Sequence, residues 1–216
     1  MKKLADKPKI MQKNNQLINL KAFFNTAIKN NLPVAIWHSP NENKSYAITS
    51  VSGIETNSID FNSFQGFVFS PFSNKESYLI KNDIIIDENG IYQLNNDKSY
   101  DFIEQYKNNE FSNEFFYKNI NNNDINYEKD EYISLVSKAI NFIKSGKAQK
   151  VVTSRTKKIN LDNNFDIFDI FNSLVNKYNN AFVSLVSIPQ IGTWIGASPE
   201  ILLKIQDNSL TTMSLA

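Results

Sequence analysis

The chain has 216 residues, 41% hydrophobic and 21% charged, long enough for one substantial domain or two small ones with apolar side chains to fill a core. A net charge of +1, from 23 basic and 22 acidic residues without a basic stripe, argues against a nucleic-acid partner. The absence of cysteine excludes disulfides, thiolate metal sites and a cysteine nucleophile, and His38 as the only histidine excludes a histidine triad or a multi-histidine metal centre.

Residues 1–12 are basic and polar, and no apolar run follows them, so a secretory signal is not expected. No stretch approaches the roughly 20 apolar residues of a membrane span. The chain reads as cytoplasmic and soluble. Leu17, Leu20, Phe23, Phe24, Ala27 and Ile28 recur at helical spacing and predict an amphipathic helix, which Asn30, Asn31 and Pro33 should end. Residues 34–38, 46–51, 66–72, 77–80 and 84–87 are short, rich in β-branched and aromatic side chains, and separated by turn clusters. They predict antiparallel strands. His38, at a strand end beside Ser39-Pro40, is expected on the half-exposed surface, and Trp37 and Trp194 in the core. Residues 95–127 are dense in Asn, Asp, Lys and Tyr and predict weak helices and loops.

From Tyr127 a second region begins. Tyr132, Val136, Ala139, Ile140 and Ile143 form a helical stripe, with acidic residues in the first turn and Gly146 placed to cap the end. Residues 150–158 predict a strand, 165–178 a helix, and 181–188, 193–196, 200–205 and 210–214 further strands. The expected division is an amino-terminal sheet-and-helix region, 1–126, and the start of a second region, 127–216. Ala216 directly follows a strand-like run, so the expectation is that the sheet continues beyond it.

Two segments carry charge where a buried sheet would not. In Lys150-Val151-Val152-Thr153-Ser154-Arg155, alternation puts Lys150 opposite Arg155. In Trp194-Ile195-Gly196-Ala197-Ser198-Pro199-Glu200, small residues let the backbone before Glu200 lie close to a ligand or a neighbouring strand. On physics alone, Lys150 and Glu200 are strand-end charges reaching solvent, and no spacing rule links them. Arg155 reads as a partner in a structural ion pair, or as a carboxylate ligand.

These segments resemble the chorismate-binding family: isochorismate synthases, salicylate synthases and the aminating subunits of anthranilate and aminodeoxychorismate synthases. Lys-Val-Val-x-Ser-Arg resembles the strand bearing the water-activating lysine of the isochorismate and salicylate branch. Trp-Ile-Gly-Ala-Ser-Pro-Glu resembles the family's aromatic-x-Gly-x-Ser-Pro-Glu segment, its Glu200 fifty residues beyond Lys150. Thr212-Met213-Ser214-Leu215-Ala216 resembles the start of the next block. Thr153 departs from the leucine usual at its position.

The resemblance implies an α+β fold of large, mostly antiparallel sheets with flanking helices, the chorismate-binding (anthranilate synthase-like) fold, incomplete at the C-terminus. It implies conversion of chorismate to isochorismate, feeding menaquinone or siderophore synthesis, with Lys150 as general base and Glu200 as general acid. Lys150 would then need to be held unprotonated and Glu200 protonated. Leu215 and Ala216 would line the substrate pocket through backbone groups. The family uses Mg²⁺, whose ligands are expected downstream of Ala216, so the 216 residues alone are expected to be inactive. A salicylate synthase, or a non-catalytic chorismate-binding or scaffold domain, are the alternatives. Nothing in the sequence sets the oligomeric state.

Overall fold

The structure, a computed structural model, describes residues 19–57, 65–71, 77–95, 97–108, 129–155, 161, 165–189, 191–201 and 203–213. Two compact units divide the chain: Met1–Asn119 with Asp166–Ala216, and Ile120–Phe165.

The first unit is built on a six-stranded antiparallel sheet. Its strands are β1 (Val34–His38), β2 (Ser45–Thr49), β6 (Ile84–Asp87), β7 (Gly90–Leu94), β8 (Phe182–Ile188) and β9 (Gly192–Ser198). They lie in the order β7-β6-β2-β1-β8-β9, so β1 and β8 pair across nearly the whole chain. A smaller sheet has the order β3-β5-β4, from Glu55–Asn57, Ser77–Lys81 and Gly66–Phe69. The hairpin β10 (Lys204–Gln206) and β11 (Ser209–Thr211) turns at Asp207-Asn208, both at positive φ (47° and 60°). That left-handed pair makes the tight connection suited to twisted strands. The fold is therefore α+β with antiparallel sheets, as expected.

Alternation along the central strands gives the large sheet two buried faces. One face carries Ala35, Ile48, Val186 and Ile188, which cluster with Ile80 of the small sheet and with Trp37, Phe67, Phe69 and Tyr78. The other carries Val34, Ile36, Ile84, Ile86, Val183 and Leu185, all buried. Helices α1 (Leu20–Lys29), α2 (Ser99–Lys107) and α4 (Ile167–Lys177) belong to this unit. Phe23 of α1 meets Phe102 of α2 edge-on at 5.1 Å, and Phe24 meets Phe168 of α4 at 5.5 Å.

Local chemistry sets the helix ends. Asn19 caps α1 by accepting the Ala22 N–H at 3.1 Å, and Asn31 (φ 55°) turns the chain away before Pro33. Asp166 caps α4 by accepting the Phe168 N–H at 2.8 Å, and it pairs with Lys21 of α1. Partial burial pushes the Asp166 carboxyl up, but Lys21 and the capping N–H groups outweigh it and hold the carboxyl below the usual carboxylate range.

A folded-state value below the unfolded one means stability that is present at neutral pH and lost as pH falls through the folded value. Asparagine caps as well as aspartate, so Asp166→Asn removes the charge and keeps the cap. Chemical denaturation at ~pH 7 should find Asp166→Asn less stable by up to about 1 kcal/mol, with the gap closing as pH falls towards ~2. A gap that persists in acid would mean that the loss is not one of charge.

His38 is a correction to the sequence expectation. It is buried, with its Nδ1 3.1 Å from Ser45 Oγ. β1 is flanked on both sides by β2 and β8, so even its last residue stays inside the sheet.

The second unit contains α3 (Lys129–Lys144), with Asp130 and Glu131 in its first turn. Gly146 (φ 74°) follows, its N–H donating to the Ile143 carbonyl at 2.9 Å. Ile133, Leu135, Ile140 and Phe142 of α3 are exposed. Among the described residues, no helix is long and apolar enough to cross a membrane.

Candidate active site

Lys150 lies in the second unit, six residues beyond the end of α3, and its side chain is exposed. The strand expected over 150–158 is not present in its described part: residues 150–155 pair with no strand, and 156–158 lie outside the described residues. β-branched residues satisfy a strand pattern locally, but a strand exists only where a neighbour takes its hydrogen bonds. The alternation does survive. Thr153 Oγ1 lies 3.2 Å from the Tyr132 hydroxyl, and the Arg155 guanidinium sits 5.6 Å from the centroid of the same ring. Thr153 and Arg155 thus both reach Tyr132. Arg155 has an aromatic partner among the described residues where a carboxylate was expected, an arrangement in which a guanidinium is stable.

Glu200 lies in the first unit and is also exposed. It was expected to open a strand, but it falls in the link between β9 and β10. Pro199 supplies no N–H for a ladder, which suits a strand end at Ser198. The Glu200 N–H donates instead to Ser198 Oγ at 3.3 Å, a local side-chain bond that sets the backbone leaving β9. Leu215 and Ala216 lie outside the described residues.

Among the described residues, β9 is the edge of the large sheet and pairs with β8 alone. Trp194, expected in the core, is 52% exposed for this reason. Its ring leans on Phe69 of β4 at 5.9 Å, which places Trp194, and by alternation Gly196 and Ser198, on the face that the small sheet partly covers. The same face carries Phe182, 6.5 Å from Phe67, and Trp37, stacked on Tyr46 at 5.4 Å. Sequence reasoning missed this aromatic surround, because Phe67 and Phe69 belong to a second sheet whose placement no local pattern reveals.

Among the described residues, no three His, Asp or Glu side chains come together as a metal site. The described residues by themselves do not supply the near-octahedral oxygen coordination of a Mg²⁺ centre.

No curated protein and no solved structure matches the chain. Residues 64–216 match the family model described as chorismate binding enzyme, a span that includes Lys150, all of β9 and Glu200. The chain therefore belongs to the chorismate-binding enzyme family.

Proposed function

We propose that the protein is an isochorismate synthase, a cytoplasmic isomerase of the anthranilate synthase-like fold. One observation carries the reading within the family: position 150 is lysine, where the ammonia-using anthranilate branch typically has glutamine. An amine that loses its proton can take one from water; a carboxamide is not a base at neutral pH.

In the proposed reaction, the Lys150 amine removes a proton from water as that water bonds to C2 of chorismate. The ring double bonds shift, and the C4–oxygen bond breaks. Glu200 gives its proton to the departing hydroxyl, which leaves as water. One water enters and one leaves, so the reaction is an isomerisation. The mechanism requires an uncharged amine and a protonated carboxyl, and both are favoured by exclusion of water. Both side chains are exposed, so the proposed reaction requires water to be excluded by groups other than those described. The reading includes Mg²⁺ at the substrate carboxylate, held by groups other than those described.

Product analysis on the protein expressed from its full reading frame tests the proposal. With chorismate and Mg²⁺, chromatography should show isochorismate accumulating. Salicylate with pyruvate would make the protein a salicylate synthase. Substrate left unconverted, or conversion only with ammonia, would overturn the reading.

A further inference from the structure

The segment that carries Lys150 has no strand to pair with among the described residues, so something else must set its course. Tyr132 lies near the start of α3 and Lys144 at its end, a separation of about 18 Å along the helix. Gly146 (φ 74°) turns the chain, and Thr153 comes back to within 3.2 Å of the Tyr132 hydroxyl. From Gly146 to Thr153, a helical path would cover only about 10 Å, while an extended one covers about 23 Å. The return along α3 is therefore extended. Two ring contacts mark it: Lys147 Nζ stands 5.8 Å from the Phe142 ring near the turn, and the Arg155 guanidinium 5.6 Å from the Tyr132 ring at the far end. Lys150 lies between them.

Exposure shows where this return is fastened. From Lys150 to Arg155, Thr153 alone is half-buried, and Val152, on the Lys150 face, is 82% exposed. An exposed cation over a ring is a weak tie that tolerates several positions. A hydroxyl pair is directional and selects one. The leucine usual at position 153 in the family has no hydrogen-bonding side chain, so this fastening belongs to the present chain.

We propose that Tyr132 is a positioning residue for Lys150: its hydroxyl, bonded to Thr153, fixes the register of the return and so holds the Lys150 amine on the face turned away from α3. A slip of one residue would carry Lys150 to the opposite face. The proposal rests on Lys150 being the base of the reading above.

The test is steady-state kinetics of chorismate consumption, with Mg²⁺, by the protein expressed from its full reading frame and its Tyr132→Phe, Thr153→Val and double variants. Phenylalanine keeps the ring beside Arg155 and removes the hydroxyl alone; valine keeps the shape of threonine. Each should lower kcat roughly ten-fold and leave KM within about two-fold, since a displaced base weakens the transition state rather than substrate binding. The double variant should be no slower than either single one, because both remove the same bond. Thr153→Ser keeps the hydroxyl and should return kcat to within about two-fold of wild type. Wild-type kcat in Tyr132→Phe would overturn the proposal, as would multiplied losses in the double variant, a serine variant as slow as valine, or a loss confined to KM. Thermal unfolding measured alongside guards the conclusion: a fall in kcat matched by an equal fall in folded protein would make the role structural and overturn it too. No chorismate consumption by the wild type would overturn the reading itself, and this proposal with it.

Discussion

Lys150→Ala and Glu200→Gln should each lower the turnover of chorismate by about 10²–10⁴-fold, the usual contribution of a positioned acid or base. The expectation follows from the chemistry proposed for the two side chains and from their exposure. Alanine at 150 leaves water without a proton acceptor. Glutamine at 200 keeps the size of the side chain but has no acidic proton for the departing hydroxyl. Because both positions are exposed among the described residues, neither substitution empties a core or orphans a buried group. Stability should stay within about 0.5 kcal/mol of wild type. Lys147 supplies the control: it is an exposed lysine three residues earlier, its ammonium 5.8 Å from the Phe142 ring. Lys147→Ala should retain activity. Steady-state kinetics with isochorismate quantified by chromatography decides the matter; near-normal turnover in either site variant would remove that residue from the mechanism.

What the sequence reveals about this molecule divides along a physical line. α1, α3 and α4 are legible because their apolar residues repeat at helical spacing, and the end of α3 also carries a recognisable cap in Gly146. Most of β1, β2, β5, β6 and β8 is legible from β-branched and aromatic runs. α2 is hard to see, since Phe102 and Ile103 stand alone in a polar, asparagine-rich stretch. β3 is Glu-Thr-Asn and has no apolar signature. Three of the misreadings depend on a neighbour. Residues 150–155 look like a strand and pair with no strand among the described residues, Trp194 looks buried and lies at an edge, and His38 looks peripheral and sits between two strands. Pairing between β1 and β8 joins residues nearly 150 positions apart, and no local pattern encodes it. The candidate site shows the same division: the motifs point to Lys150 and Glu200 as candidates, while the contact of Trp194 with Phe69 exists only once β4 and β9 are placed.

Asp87→Ala should be the most damaging single change to stability outside the apolar core, at about 3 kcal/mol or more. Asp87 ends β6, pairs across the sheet with Tyr46, and is fully buried. Its carboxylate accepts from Lys44 Nζ at 2.8 Å, from the Asn89 N–H at 2.7 Å and from the Gly90 N–H at 3.0 Å. One side chain thus neutralises an ammonium and supplies the acceptor for two turn amides that lead into β7. Alanine removes these bonds together, with the longer one from Asn89 Nδ2 at 3.4 Å, and leaves groups that lost water on folding without their acceptor. Asn separates the parts: Asp87→Asn keeps a carbonyl oxygen for the turn amides but loses the charge facing Lys44, so its cost should be clearly smaller. Against the 5–15 kcal/mol typical of a domain, the alanine loss is a large fraction, and denaturant titration will resolve the order wild type, Asn, Ala. Equal stability of wild type and Asp87→Ala would mean that the turn is held by its backbone alone. An asparagine variant as weak as alanine would place the whole effect in the Lys44 pair.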